Sequence, residues 1–162
     1  MENSSAWPAD GIENIVRTYG NMLYRLCFVM LGNESDAEDA VQESLIKYLQ
    51  KAPSFENTEH EKAWLITVAT NRCKDILRFR KRHPQTDLEN LRETPQFSSD
   101  SGILEALMTL PEKFRFILTL YYVEEYRIED IAKIIGRTPS AVKMRLQKGR
   151  RLLEETFRKE YL

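Results

Sequence analysis

Basic residues are the side chains of this sequence whose types and spacing point most directly to chemistry, because they fall into two runs. Residues 62–82 hold seven basic residues and one acidic residue, a net charge of +6. Residues 133–151 hold seven basic residues and no acidic residue, a net charge of +7. Residues 87–130, between them, hold ten acidic and four basic residues. Two separate basic segments predict two contacts with a polyanion, and nucleic acid is the favoured one.

A group of acidic residues precedes the first basic run. It consists of Glu34, Asp36, Glu38, Asp39 and Glu43. Acidic residues near the start of a helix complement the helix dipole, so the residues alone favour an ordinary solvated helix start. The alternative is a docking surface for a basic partner.

Residues for enzymatic or metal chemistry are not grouped in this sequence. It shows no Ser/His/Asp set, no phosphate-binding loop and no cluster with metal-ligand spacing, and His60 and His83 have no ligand-spaced partners. Cys27 and Cys73 each lie inside a helical pattern, which favours buried reduced thiols over a disulfide or a zinc site. We therefore expect no enzymatic activity, no metal and no cofactor. No apolar run is long enough to span a membrane and no secretory signal precedes the chain, so the expected location is the cytoplasm.

Helical periodicity runs through the sequence, and no strand-type alternation persists. Two capping boxes, Ser35-x-x-Glu38 and Thr58-x-x-Glu61, are expected to open the second and third helices. The fold class is therefore all-α. The predicted helices cover residues 11–31, 36–51, 58–82, 103–109, 112–123, 128–135 and 139–160.

The segment from Gln85 to Gly102 divides these helices into two groups. It is rich in Ser, Thr and charged residues and lacks periodicity, which predicts a flexible linker. We expect two small helical domains, residues 1–84 and 103–162, joined by residues 85–102. Because the first domain carries the acidic helix and both domains carry basic faces, charge attraction is expected to let the free chain mask its own basic surfaces.

The second domain has the pattern of a helix-turn-helix. Ala132, Gly136 and Val142 are four and six residues apart, with Gly136 placed to end one helix and Thr138 to cap the next. Val142 and Leu146 are expected to face inward. The opposite face carries side chains that can read base edges or contact phosphates: Lys143, Met144, Gln147 and Lys148.

Three stretches of the sequence together resemble the bacterial RNA polymerase sigma factors of the extracytoplasmic-function (ECF) group, within the sigma-70 family. The first is Asp36-Ala-Glu-Asp-Ala-Val-Gln-Glu-Ser-Leu. The second is Phe55 followed by the run from Lys62 to Arg78. The third is Leu110-Pro-Glu-Lys-Phe-Arg with Tyr126-Arg-Ile-Glu-Asp-Ile-Ala and the helix that follows. The usual Gly-Asp-containing stretch before the first long helix is missing.

The resemblance implies a non-enzymatic specificity subunit that binds core RNA polymerase and promoter DNA, as a −35 duplex and a −10 single strand, and that an anti-sigma factor regulates. The rival interpretation is a free-standing helix-turn-helix regulator of duplex DNA. The residues implied in polymerase docking are Asp36, Asp39, Gln42 and Glu43. Those implied in −10 binding are Phe55, Glu56, Asn57, His60, Lys62, Asn71, Arg72, Lys74 and Arg78. Those implied in −35 binding are Arg137, Thr138, Ser140, Lys143, Met144, Arg145, Gln147, Lys148, Arg150 and Arg151.

Overall fold

The computed structural model describes residues 9–84 and 101–161, and these form α-helices and no strand. Most of the expected linker lies outside the described residues, although its last two residues open the fourth helix. The helices are α1 Ala9–Leu31, α2 Glu34–Lys51, α3 Thr58–Arg82, α4 Ser101–Met108, α5 Glu112–Leu118, α6 Ile128–Ile135 and α7 Pro139–Tyr161, with a π-helical turn at Thr119–Val123. We call residues 9–84 the N-terminal half and residues 101–161 the C-terminal half. The all-α prediction is confirmed.

The first three helices pack on one another around the apolar stripe of α1. Leu23, Leu26 and Phe28 are fully buried there, against Leu65 and Ile66 of α3. Cys27 and Cys73 are free thiols in this core, as the sequence predicts. Burial of such side chains contributes about 1.5–3 kcal/mol each, and it holds α2 and α3 on α1.

The caps of α2 and α3 are not the residues that the sequence suggested. The Asn33 side chain accepts the backbone N–H of Asp36 at 2.8 Å, and the Asn57 side chain accepts that of His60 at 2.8 Å. The expected caps Ser35 and Thr58 lie inside the helices. Asn in an extended conformation satisfies an unpaired amide of the first turn as well as Ser or Thr does, and it stands one or two residues earlier here.

The helix-turn-helix forms as predicted. Gly136 ends α6 with φ of 70°, a left-handed conformation that favours glycine. The Thr138 hydroxyl then accepts the N–H of Ala141 at 3.1 Å and caps α7. Val142 and Leu146 are buried, so the outer face of α7 is left to solvent.

Two features of the C-terminal half differ from a simple helix pair. The predicted helix 112–123 changes at Thr119 from α-helix to a π-helical turn, where the Thr119 hydroxyl donates to the carbonyl of Arg115 at 2.8 Å. Gly149 lies where α7 crosses α5, and a Cβ at this position would meet Leu118 at 3.3 Å. Glycine therefore sets the close approach of these two helices.

The two halves are packed against each other. α1 packs on α5 and α3 packs on α6, and the buried residues of both halves form one continuous core. We call this contact region the junction. Charge attraction had suggested that the acidic helix would cover the C-terminal half. Instead, α2 packs on α1 and α3, and α1 and α3 are the helices that contact the C-terminal half. The division into domains 1–84 and 103–162 stays a prediction.

Candidate nucleic-acid interface

The exposed face of α2 carries the predicted docking residues. Asp39, Gln42 and Glu43 are all exposed, and Ile46, one turn further on, is 50% exposed. Ala37, Ala40 and Ser44 form the buried face of the same helix. This exposed face therefore combines two carboxylates, an amide and an isoleucine.

Two of the predicted docking residues have partners within the chain. The Asp36 carboxylate accepts from Arg80 Nη2 at 2.5 Å, and Arg80 Nη1 also donates to the carbonyl of Leu31 at 2.7 Å. Asp36 therefore holds α3 against the start of α2. Glu43 forms a half-exposed ion pair with Arg72, which joins a residue predicted for polymerase docking to one predicted for −10 binding.

The loop between α2 and α3 is built on aromatic side chains. Phe55 is half-buried and stacks on Tyr48 with ring centroids 6.1 Å apart, and Trp64 meets both rings edge-on. His60 meets Phe55 edge-on at 5.3 Å. Glu56 and Asn57 are exposed beside them. The packed rings of this cluster support the loop. Aromatic side chains bind unpaired nucleic-acid bases by stacking on them.

Glu61, in the first turn of α3, joins the three helices of the N-terminal half where this loop ends. Its carboxylate accepts from the hydroxyl of Tyr19 in α1 at 2.9 Å and from that of Tyr48 in α2 at 2.7 Å. Burial, together with the hydrogen bond to Glu61, raises the pKa of Tyr19 to about 12 and the pKa of Tyr48 to about 12. Both hydroxyls therefore stay protonated where free tyrosine ionises.

The substitution Glu61→Gln is expected to lower the free energy of unfolding at pH 7 by about 1–3 kcal/mol, because two charge-assisted hydrogen bonds are weakened. Because folding raises the pKa of both tyrosines, their contribution to the free energy of unfolding is fully present below about pH 10. This contribution is lost as the pH rises towards 12. Wild-type stability should therefore fall more steeply than that of the variant between pH 10 and 12. Urea unfolding across this range measures both effects, with Glu38→Gln on exposed α2 as the control. Parallel pH profiles would contradict the assignment.

The predicted −10 residues on α3 point in several directions. Asn71 is exposed and Arg78 pairs with Asp75 on its own helix. Lys62 lies at the junction, 3.8 Å from the Glu124 carboxylate and 5.2 Å from the centre of the Tyr126 ring. Lys74 is half-buried and faces a cavity between the two halves. The sequence placed these residues on one helix but could not show that only some of them are free to contact DNA.

The predicted −35 residues are gathered on α7 and on the turn that precedes it. The outer face of α7 presents Lys143, Gln147 and Lys148 to solvent, and Met144 is 70% exposed at its centre. Arg137, Ser140 and Arg151 are also exposed, whereas Thr138 serves as the cap. Arg145 is half-buried towards the junction, and Arg150 donates to the Tyr122 hydroxyl at 2.8 Å. The arrangement suits insertion of one helix face into a major groove.

Arg115 and Glu124 form the polar part of the junction, and sequence analysis missed both. The buried Arg115 guanidinium donates to the carbonyls of Val29 at 2.5 Å and Met30 at 3.1 Å in α1. It also donates to the carbonyl of Leu110 at 2.7 Å in its own half. The Glu124 carboxylate, only 6% exposed, accepts from Arg25 at 2.6 Å. Two charged residues in an acidic stretch gave no sign in the sequence that their partners lie about 90 residues away.

No group of histidine, cysteine or acidic side chains that could hold a metal occurs within the described residues. In the same ranges, no helix is long and apolar enough to cross a membrane. The contact with Cys27, followed by burial, raises the pKa of the Cys73 thiol, so this thiol stays protonated.

The helix-turn-helix has an exposed basic face, and it packs on a helical unit that carries an acidic face and an aromatic loop. This combination is typical of a DNA-binding protein that acts in transcription. Two family models match the chain: Sigma-70 region 2 over residues 15–83 and Sigma-70, region 4 over residues 101–153. The chain is 30% identical to the ECF RNA polymerase sigma factor SigW of Bacillus subtilis over 170 residues, covering 92% of this chain and 90% of SigW. It is 32% identical to RNA polymerase sigma factor SigV of the same organism, covering 86% of each.

A solved structure agrees with these matches. The sigma factor RpoE from Bartonella quintana, in complex with the anti-sigma factor NepR, superposes with a TM-score of 0.77 at 25% identity, covering 94% of this chain and 99% of RpoE. The chain belongs to the ECF group of the sigma-70 family and is a sigma factor that directs transcription to promoters. The rival interpretation of a free-standing regulator is not favoured.

Proposed function

We propose that this sigma factor binds core RNA polymerase through the exposed face of α2, contacts the unpaired −10 strand with the aromatic loop and α3, and reads the −35 duplex with α7. It acts in the cytoplasm as a specificity subunit and catalyses no reaction itself. The observation that carries the proposal is the split character of α7. Val142 and Leu146 are buried on one side, while Lys143, Met144 and Gln147 stand free on the other.

Polymerase docking is assigned to Asp39, Gln42 and Glu43, with Ile46 as an apolar addition. Asp36 acts indirectly, because its ion pair with Arg80 holds α2 in place. Glu43 can exchange its partner Arg72 for a basic residue of polymerase, since half-exposed ion pairs contribute only about 0–1 kcal/mol. The exchange would free Arg72 for the DNA strand beside it.

The −10 contacts are assigned to the aromatic loop and to part of α3, namely to Phe55, Glu56, Asn57, His60, Lys62, Asn71, Arg72, Lys74 and Arg78. Each base taken out of the stack costs a few kcal/mol, which a firm aromatic platform can offset. Lys62, Lys74 and Arg145 lie at or beside the junction in the free protein. They become available to DNA when the two halves separate.

The −35 assignment predicts two kinds of mutational effect. Lys143→Ala and Gln147→Ala are each expected to lose about 1–3 kcal/mol on the preferred duplex and to relax its sequence preference at single positions. Arg151→Ala is expected to weaken binding to all sequences alike and to reduce the dependence on salt, because it would neutralise a phosphate. Competition binding with a randomised −35 duplex library at fixed salt measures both effects.

A uniform loss in all three variants would show that this face does not read bases directly. Thr18→Ala, in α1 and far from α7 in sequence, gives the baseline for a substitution outside the proposed surface.

Run-off transcription with purified core RNA polymerase and a genomic promoter library tests the complete proposal. The expected result is initiation at a discrete set of promoters that share −35 and −10 elements. Binding of DNA without polymerase-dependent initiation would contradict it.

An anti-sigma factor is the remaining proposed partner. RpoE of Bartonella quintana is bound to such a protein, NepR, in the structure that this chain resembles. A protein of that class would act here by stabilising the packed arrangement of the two halves, in which Lys62 and Arg145 face the junction.

A further inference from the structure

A cavity at the junction is lined by basic side chains from both halves. It has a volume of about 370 Å³, and Lys74, Arg78 and Lys81 reach it from α3, while Lys113, Arg137 and Arg145 reach it from the C-terminal half. The apolar wall includes Leu77, Phe116 and Ile135. We call this space the junction cavity.

The charges around the junction cavity are poorly balanced. Arg78 pairs with Asp75 on its own helix, but in the chain as described none of the other five cations forms an ion pair with a carboxylate. Among the described residues of the lining, Glu112, which is exposed, is the single acidic one. Within the described residues, the cluster therefore carries a net positive charge.

The cations also act on one another across the junction. Burial, followed by the neighbouring Arg137, Arg78 and Arg145, lowers the pKa of Lys74. Burial, followed by Arg137, lowers the pKa of Arg145. Lys74 belongs to the N-terminal half, whereas Arg137, the arginine with the largest effect on it, belongs to the C-terminal half. Repulsion between the two therefore opposes the packing of the halves. An anion placed between them would remove it.

The size of the junction cavity selects the kind of anion. Small-molecule sites usually occupy about 300–1,000 Å³, and the volume of the junction cavity lies in this range. A DNA duplex, whose major groove alone is about 12 Å wide, is too large to enter the junction cavity. Lysine and arginine side chains converging from several directions are the usual ligands of phosphate groups.

We propose that the junction cavity binds a small oligophosphate, a chain of phosphate groups either free or carried by a nucleoside, and that the bound anion holds the two halves together. The anion would bridge α3 to α5 and α7 and favour the packed form. Its effect on DNA rests on the function proposed above, whereas the binding itself does not.

Calorimetric titration of the full chain with inorganic tripolyphosphate, at constant ionic strength, tests the site. The expected result is one anion per chain and a rise in melting temperature. Lys74→Gln with Arg145→Gln is expected to reduce the affinity tenfold or more, since two charge-assisted contacts are lost. Lys47→Gln with Lys159→Gln, exposed and outside the junction cavity, makes the same change in net charge and should leave the affinity unchanged.

A second pair of variants guards against misfolding. Lys81→Gln with Lys113→Gln removes one exposed cation from each half, and neither residue is assigned to DNA or polymerase. This pair should also lower the affinity for tripolyphosphate several-fold. Equal losses in the cavity variants and the Lys47/Lys159 control would show only diffuse charge attraction, and absence of binding by the wild type would equally overturn the proposal.

Two further arms identify the source and the consequence. Titration with ATP beside tripolyphosphate shows whether the apolar wall adds affinity for a nucleoside. Tripolyphosphate is also expected to inhibit binding of a −35 duplex by the wild type, and less so by the Lys81/Lys113 variant. Failure of the wild type to bind tripolyphosphate, together with intact promoter-specific transcription, would overturn this inference and leave the proposed function standing.

Discussion

Reversing two charges on α2, Asp39→Arg with Glu43→Arg, is expected to weaken binding to core RNA polymerase by about 100-fold or more. Both side chains are exposed on the proposed docking face, and like charges placed against each other at an interface cost several kcal/mol. The helix itself should persist, because its buried face and its Asn33 cap are unchanged. A pull-down with purified core enzyme measures the affinity, and circular dichroism measures the helicity.

Two controls separate docking from other effects of the double reversal. Arg72→Ala breaks the same Glu43 ion pair from the other side and should leave polymerase binding intact. Glu129→Arg with Glu155→Arg makes an equal change in net charge on exposed positions of the C-terminal half. If the Asp39/Glu43 variant bound polymerase as well as these controls do, α2 would not be the docking helix.

Replacing the buried arginine of the junction, Arg115→Met, is expected to reduce the free energy of unfolding by about 3 kcal/mol or more. Methionine matches the aliphatic stem of the arginine side chain, but it leaves buried carbonyls of both halves without their donor. Each unsatisfied buried group costs about 1–3 kcal/mol. For a chain of this size, the loss corresponds to a fall in melting temperature of roughly 6–12 °C.

Urea unfolding compares this variant with Arg158→Met, which removes an exposed arginine paired with Glu154 one turn away on α7. The control should change stability by less than about 0.5 kcal/mol. Arg115→Lys should give an intermediate loss, because one ammonium cannot reach carbonyls on two segments as the guanidinium does. Similar stabilities for Arg115→Met and the control would show that water replaces the guanidinium at no cost.

Elements that depend on neighbouring residues were predictable from the sequence. The turn between α6 and α7 follows from Gly136 and Thr138, whose conformational and capping preferences are local. The outward face of α7 follows from the helical repeat, which buries Val142 and Leu146. The caps of α2 and α3 were displaced because several adjacent polar residues can each satisfy the same amide, and the sequence does not rank them.

Features that depend on how distant segments meet could not be predicted. Arg115 and Glu124 reach their partners in α1 only when the C-terminal half packs on that helix, and the helical repeat of the sequence does not predict this contact. The π-helical turn at Thr119–Val123 likewise requires a tertiary setting, since nothing in its residue types forbids an α-helix. The resemblance to a family supplied roles for the residues, but not the ion pairs that already engage Lys62 and Arg72 in the free protein.

The end of α1 is held by side chains from elsewhere in the chain, because its last turn has no basic residue of its own. Arg115 caps the carbonyls of Val29 and Met30, and Arg80 caps that of Leu31. Separation of the halves would remove the first of these donors, and helix ends without caps open readily. The amide protons of this turn should then exchange with deuterated water faster on polymerase than in the free protein. One turn of helix thus serves as an internal reporter of which state the sigma factor occupies.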